Sequence, residues 1–228
     1  MPFQRARSEE QREIRRRTIL DTTAAMLESM PAAEVSLNEL SRRACLAKSN
    51  VLRYFESREA ILLELLDRAM KRWLSELSGR LAAEVDPGAA PGERGDQLAA
   101  VLTRSIAPER VLCDLLSAQA GVLGQKISVE VVAGYKRAMF DNNTTLAELV
   151  GRHLPELGRD DAWQVCATTL MLIGALWSHT RRSPSVVAAY EADPSLTSLR
   201  IDFADFLQDS LTTLIAGTLT RSGGSPAH

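Results

Sequence analysis

Apolar residues return at helical spacing along most of the chain, and no stretch alternates convincingly in the manner of a strand. Residues 1–11 are polar and charged and are expected to fray. The first periodic segment runs from Glu10 to Ser29, with Ile19, Ala24, Met26, Leu27 and Met30 approximating one side, until Pro31 ends it. Ser36-Leu37-Asn38-Glu39 has the form of a capping box, with Ser36 as N-cap and Glu39 reaching back, and opens a short helix to about Ala44. A second short helix is expected over Ala47–Phe55. Ser57 can cap a fourth, long one, in which Ile61, Leu62, Leu65, Leu66, Ala69, Met70, Trp73, Leu74, Leu77 and Leu81 recur to about Glu84. The Pro- and Gly-rich stretch 86–95 reads as a loop. Further helices are expected at about 96–106, 108–123, 127–153, 160–181, 184–191 and 199–219, with Pro108 in a first turn. The fold class is therefore all-α, with a tail over 222–228 that is disordered by composition.

These two short helices, the second and third of the chain, are joined by about three residues, Cys45-Leu46-Ala47, which is helix-turn-helix spacing. Two short helices crossing steeply can set the second into a major groove about 12 Å wide while the first lies across the backbone. Leu37, Leu40, Ala44, Leu46, Val51, Leu52 and Phe55 can supply the inner side. Lys48, Ser49, Asn50, Arg53 and Tyr54 are left to face out. Lys48 and Arg53 can hold phosphates or guanine acceptors, Asn50 can pair with adenine, and Ser49 and Tyr54 can donate to phosphates or base edges. Ser36 with the free amides of its helix can take a phosphate oxygen, and the N-terminal arginines add further phosphate candidates.

The stretch from Ser36 to Ile61, SLNELSRRACLAKSNVLRYFESREAI, resembles the DNA-binding domain of the TetR (tetracycline repressor-like) family. Tyr54-Phe55 and Arg58-Glu59-Ala60-Ile61 fall at the family's spacing, and the resemblance is detailed over about residues 10–65. Four positions depart from the family pattern. Cys45 replaces a turn glycine, so a left-handed backbone there would be strained. Ala47 replaces the serine that caps the recognition helix, so that cap bond should be missing. Ser49 replaces a glycine and Leu52 an aromatic.

The resemblance implies a DNA-binding set of Ser36, Arg43, Ala47, Lys48, Ser49, Asn50, Arg53, Tyr54 and Arg58, the last in the place of a phosphate-contacting lysine. It implies a helix-turn-helix domain over 1–56, helix four (57–84) as connector, and a helical ligand-binding and dimerisation domain over 57–221. Leu112, Leu116, Gln119, Tyr135, Met139, Trp163, Cys166 and Leu170 are the candidate pocket for a small, mostly apolar effector, with Val132, Phe140, Asn142, Asn143 and Thr144 as further inward candidates. Gly174, Trp177, Phe203, Phe206, Leu207, Leu211 and Leu214 are the candidate homodimer interface, Gly174 permitting close helix approach.

Charge changes this picture only a little. The net charge is −2, but residues 1–80 hold 15 basic and 12 acidic residues while the remainder hold 12 and 17. A basic front and an acidic back suit a chain whose N-terminus meets double-stranded DNA. Cys45, Cys113 and Cys166 are scattered, without zinc or redox spacing, and read as reduced thiols. The first 17 residues are charged and lack the apolar stretch of a signal peptide, and no apolar run approaches a membrane span. A cytoplasmic protein with no cofactor, no metal, no membrane partner and no catalytic constellation is expected. Two other readings stay open at this point: a helical small-molecule-binding or enzyme-like protein with a vestigial helix-turn-helix, and a DNA binder governed by a protein partner.

Overall fold

The computed structural model describes residues 2–180 and 184–223. Among them there are ten α-helices and no strand. Helix α1 spans Pro2–Leu27, α2 Leu37–Arg43 and α3 Lys48–Leu52. Helix α4 spans Arg58–Glu84, α5 Pro91–Ile106, α6 Arg110–Leu123 and α7 Val129–His153. Helix α8 spans Gly158–Thr180, α9 Pro184–Ala192 and α10 Phe203–Gly223. Short 3-10 turns at Ala32–Glu34, Pro155–Leu157 and Pro194–Leu199 join some of them. Helix α1 begins well before the periodic segment, because the Arg, Gln and Glu of its first turns are good helix formers without needing an apolar face. The last helix continues to Gly223, and residues 224–228 lie outside the described residues.

Most of the α4 stripe is inaccessible to solvent, from Ile61 to Leu81. Helix α4 packs on α1, α5, α6 and α7, so it belongs both to the small N-terminal head and to the larger C-terminal body. Trp73 at its centre is fully buried, and its indole nitrogen donates to Ser105 Oγ at 3.1 Å, which removes the cost of burying that N–H. The body is closed by α8 against α6 and α7, and by α10 against α5 and α8.

Two close approaches fix how α8 and α10 sit. A Cβ on Gly174 would lie 2.7 Å from the carbonyl oxygen of Leu116, so α8 meets the backbone of α6 there. A Cβ on Gly95 would lie 2.9 Å from the Ile215 side chain, so α5 meets α10 there. Arg94 fastens the start of α5 to the end of α7, donating to His153 O at 2.8 Å and pairing with Glu156.

These contacts correct part of the expected dimer interface. Gly174 is used inside the protomer, and Leu207 and Leu211 are wholly buried in the protomer's own core. Trp177 and Phe203 pack edge to face, with ring centroids 5.4 Å apart. Leu214 is half-buried. Phe206 alone of that set points a large apolar side chain outward, at 45% exposure; on α8, Met171 is 66% exposed.

Candidate nucleic-acid interface and ligand cavities

The head is built from its turns outward. Ser36 caps α2, its hydroxyl accepting from Glu39 N at 3.2 Å. The other half of the expected capping box is replaced: the Glu39 carboxylate takes hydrogen bonds from Arg42 and Arg43. Those guanidinium groups hold the Glu39 carboxyl down at about 2, well below its ordinary value. The turn after α2 contains Cys45 with φ of 53°, the non-glycine residue at positive φ among the described residues. Ala47 opens α3 from an extended conformation with no side-chain cap, as expected for a residue without a hydrogen-bonding side chain.

Val51 and Phe55 face inward and anchor α3. Ala47, Lys48, Ser49, Asn50, Leu52 and Arg53 are exposed, and Tyr54 is half-buried. Ser36 and Arg43 are exposed as well, Arg43 while paired with Glu39 at 2.7 Å. Beside the end of α3 lies a polar hollow lined by Gln11, Arg12, Ile14, Arg15, Arg53 and Tyr54. Three arginines and no carboxylate line it, which is chemistry for phosphate oxygens. The arginines of α1 and the recognition segment thus share one surface, although about forty positions separate them.

Arg58 requires a correction. Its guanidinium turns inward, donating to the carbonyl oxygens of Val35 and Ala32 and pairing with Glu59 at 3.0 Å. It clamps the 3-10 turn that precedes α2 and is not placed to reach a phosphate. The same turn is also held by Asp114 of α6, whose Oδ2 accepts from the buried Ala32 N at 2.6 Å. Sequence reasoning missed Asp114. A lone acid inside the apolar run Val111-Leu112-Cys113-Asp114-Leu115-Leu116 is the signal that could have found it. A second link joins the head to the body where Glu56 Oε1 accepts from Ser128 N, at the start of α7, at 2.9 Å. That amide lowers the Glu56 carboxyl from its ordinary value. Arg16 is a further unforeseen brace, lying 4.3 Å above the Phe55 ring and donating to Tyr54 O at 2.6 Å and to Glu64.

The structure divides the effector-pocket candidates between the core and two surface concavities. Leu112, Leu116, Cys166 and Leu170 are packed in the core. Burial pushes the Cys113 and Cys166 thiols up to about 12. Tyr135 donates to Gln119 within the body, and Met139 is half-buried against the core. Two concavities lie elsewhere. One of about 510 Å³ sits between head and body, where Tyr135 meets Arg16, Tyr54, Glu56 and Glu64. The other is a groove of about 860 Å³ between the second half of α7 and the start of α8, and it contains Trp163. Phe140, expected inside, is 59% exposed at that groove, its ring 6.1 Å from that of Trp163. Among the described residues no group of three His, Cys, Asp or Glu could hold a metal ion, and no helix is long and apolar enough to cross a membrane.

A three-helix head of helix-turn-helix form, fused through one long helix to an all-helical body, defines a class of bacterial regulatory protein. The family description "Tetracyclin repressor-like, C-terminal domain" matches residues 67–222, and "Bacterial regulatory proteins, tetR family" matches residues 19–65. The chain belongs to the TetR family. It is 39% identical over 54 residues to the HTH-type transcriptional regulator EthR of Mycobacterium tuberculosis, a match that spans 24% of this chain and 25% of that protein. The fold is similar to a TetR transcriptional regulator from Rhodococcus sp. RHA1, with a TM-score of 0.57 at 12% identity over 91% of this chain and 96% of that one. It is also similar to the TetR family repressor AlkX from Dietzia sp., with a TM-score of 0.51 at 15% identity over 90% and 95% of the two chains.

Proposed function

We propose that the protein is a DNA-binding transcriptional regulator, acting as a homodimeric repressor that leaves a near-palindromic operator when a small, mostly apolar molecule binds its C-terminal body. The observation that carries this reading is the exposed face of α3 with its neighbouring arginines. Lys48, Ser49, Asn50 and Arg53 project from a segment anchored by Val51 and Phe55, and Arg12 and Arg15 stand beside them. Such a face neutralises phosphates and reads base edges. Dimerisation would use what the protomer leaves bare on α8 and α10, chiefly Met171, Ala175, Phe206 and the small residues Ala216 and Gly217. Two heads held by such a pair can address half-sites one helical turn apart.

Release would run through α4, shared by both domains, and through the two carboxylate–amide links of Asp114 and Glu56. Effector binding needs only a coupling of ~1–3 kcal/mol to shift such an equilibrium. The same fold occurs in a regulator from Bacillus subtilis crystallised in complex with stearoyl-CoA, with a TM-score of 0.50 and 13% identity over 88% of this chain and 97% of that one. That complex supports a ligand-receptive body. The packed interior around Leu112 and Leu170 turns attention to the concavities for the ligand.

The experiment is a fluorescence-anisotropy titration of the full chain with DNA from upstream of its own gene, at several salt concentrations. Saturable, sequence-dependent and salt-sensitive binding is expected. Its absence would overturn the reading.

A further inference from the structure

We propose that the groove between α7 and α8 is a ligand site for a neutral, flat, largely apolar molecule carrying one hydrogen-bond acceptor. Any effect of this site on DNA binding rests on the function proposed above; the binding site itself does not. Four observations carry it.

The groove has a volume of about 860 Å³, within the range that takes a single small molecule. Its walls are Phe140, Trp163, Ala147 and Ala162, and the two rings stand 6.1 Å apart at 44°, so they are not locked in a stacked pair. A large aromatic left 59% exposed on α7 is apolar area that a flat ligand would cover. The charged rim is balanced, Glu148 and Asp160 against Arg152 and Arg159, so it selects neither a cation nor an anion.

The fourth observation concerns Thr144, which lines the same groove. Its hydroxyl oxygen is buried and makes no hydrogen bond among the described residues. A buried unpaired hydroxyl is costly. Threonine χ1 in a helix has two accessible wells, and a rotation that lets the hydroxyl donate to a ligand carbonyl would remove the cost.

The neighbouring residues of this turn give the site a route to the rest of the molecule. Asn143 Nδ2 donates to the carbonyl of Trp163 at 3.1 Å, tying the far wall of the groove to α7. Asn142, one residue earlier, donates to Asp67 of α4 at 2.9 Å and is itself buried. A molecule between Phe140 and Trp163 therefore loads the α7–α8 tie and, through the same turn, the α7–α4 tie.

The test uses the full chain without DNA and the neutral naphthyl ketone prodan as probe, followed by its emission shift. A saturable blue shift is expected. Phe140→Ala should weaken binding about tenfold and Thr144→Val several-fold, with helical content and melting temperature unchanged or, for Thr144→Val, raised. No saturable shift, or equal affinities for the wild-type chain and both variants, overturns the proposal. Sedimentation of Phe140→Ala is measured in parallel. A change from dimer to monomer there assigns the face to a second copy of the chain and overturns the ligand site. If the upstream DNA fails to bind while prodan binds as described, the regulator reading fails and the ligand site stands.

Discussion

Cys45 stands in a left-handed backbone conformation, with φ of 53°, at the sharpest point of the helix-turn-helix. For a residue with a Cβ this costs on the order of 1–2 kcal/mol. Cys45→Gly should therefore raise stability by about 1 kcal/mol in denaturant titration, even though glycine is ordinarily destabilising. The strain was legible in the sequence, because Cys45 stands where the family pattern has glycine. The fate of Arg58 was not. Its spacing identified a basic residue at the start of α4, but the two carbonyls that it clamps belong to a turn more than twenty positions earlier. Arg53 and Arg58 thus make a discriminating pair. Arg53→Ala should weaken DNA binding and flatten its salt dependence by about one phosphate contact. Arg58→Ala should leave the salt slope alone and lower unfolding stability by roughly 1–3 kcal/mol, through two carbonyls that lose their charged donor.

The helices themselves were read from periodicity, with errors at their ends that reach eight residues at the start of α1. The errors have local causes. Helix α5 begins at Pro91 rather than near residue 96, since proline is at home in a first turn and the Gly-rich stretch beyond it tolerates helix. Helix α3 closes at Leu52, and the following residues continue only as turns. Which side of α7 faces the core could not be read, because apolar residues occur around much of its circumference. Phe140 was accordingly placed inside and is found outside. Gly174 shows the same limit: its size announced a close helix approach, while the partner, α6 of the same protomer, follows only from the fold. Gly174→Ala would push a methyl group against the Leu116 carbonyl, a backbone atom that cannot rotate aside. The expected loss is about 1–3 kcal/mol of protomer stability, read in thermal unfolding, without a primary change in association.

Seen across the molecule, the protomer consumes Gly174, Leu207 and Leu211 for its own closure and leaves a different face of α8 and α10 bare. Met171→Glu should convert the proposed dimer to monomer in sedimentation, with helical content retained, because the side chain is two-thirds exposed and contributes little to the protomer. A dimer that survives this change would place the interface elsewhere. The two-domain plan and the exposed face of α3 were legible because both follow from short-range pattern and spacing. The packed interior at Leu112, Leu116, Cys166 and Leu170 was not, because the same apolar residues serve a core or a cavity wall equally well.

The carboxylates of Asp114 and Glu56 each accept a main-chain N–H across the junction of head and body, from Ala32 and Ser128 respectively. Both hydrogen bonds hold only while the domains stay docked, the Ala32 amide in the interior and the Ser128 amide at the surface. Deuterium uptake at Ala32, whose amide is buried, should therefore be slow at rest and accelerate whenever the head lifts, even if every helix remains intact.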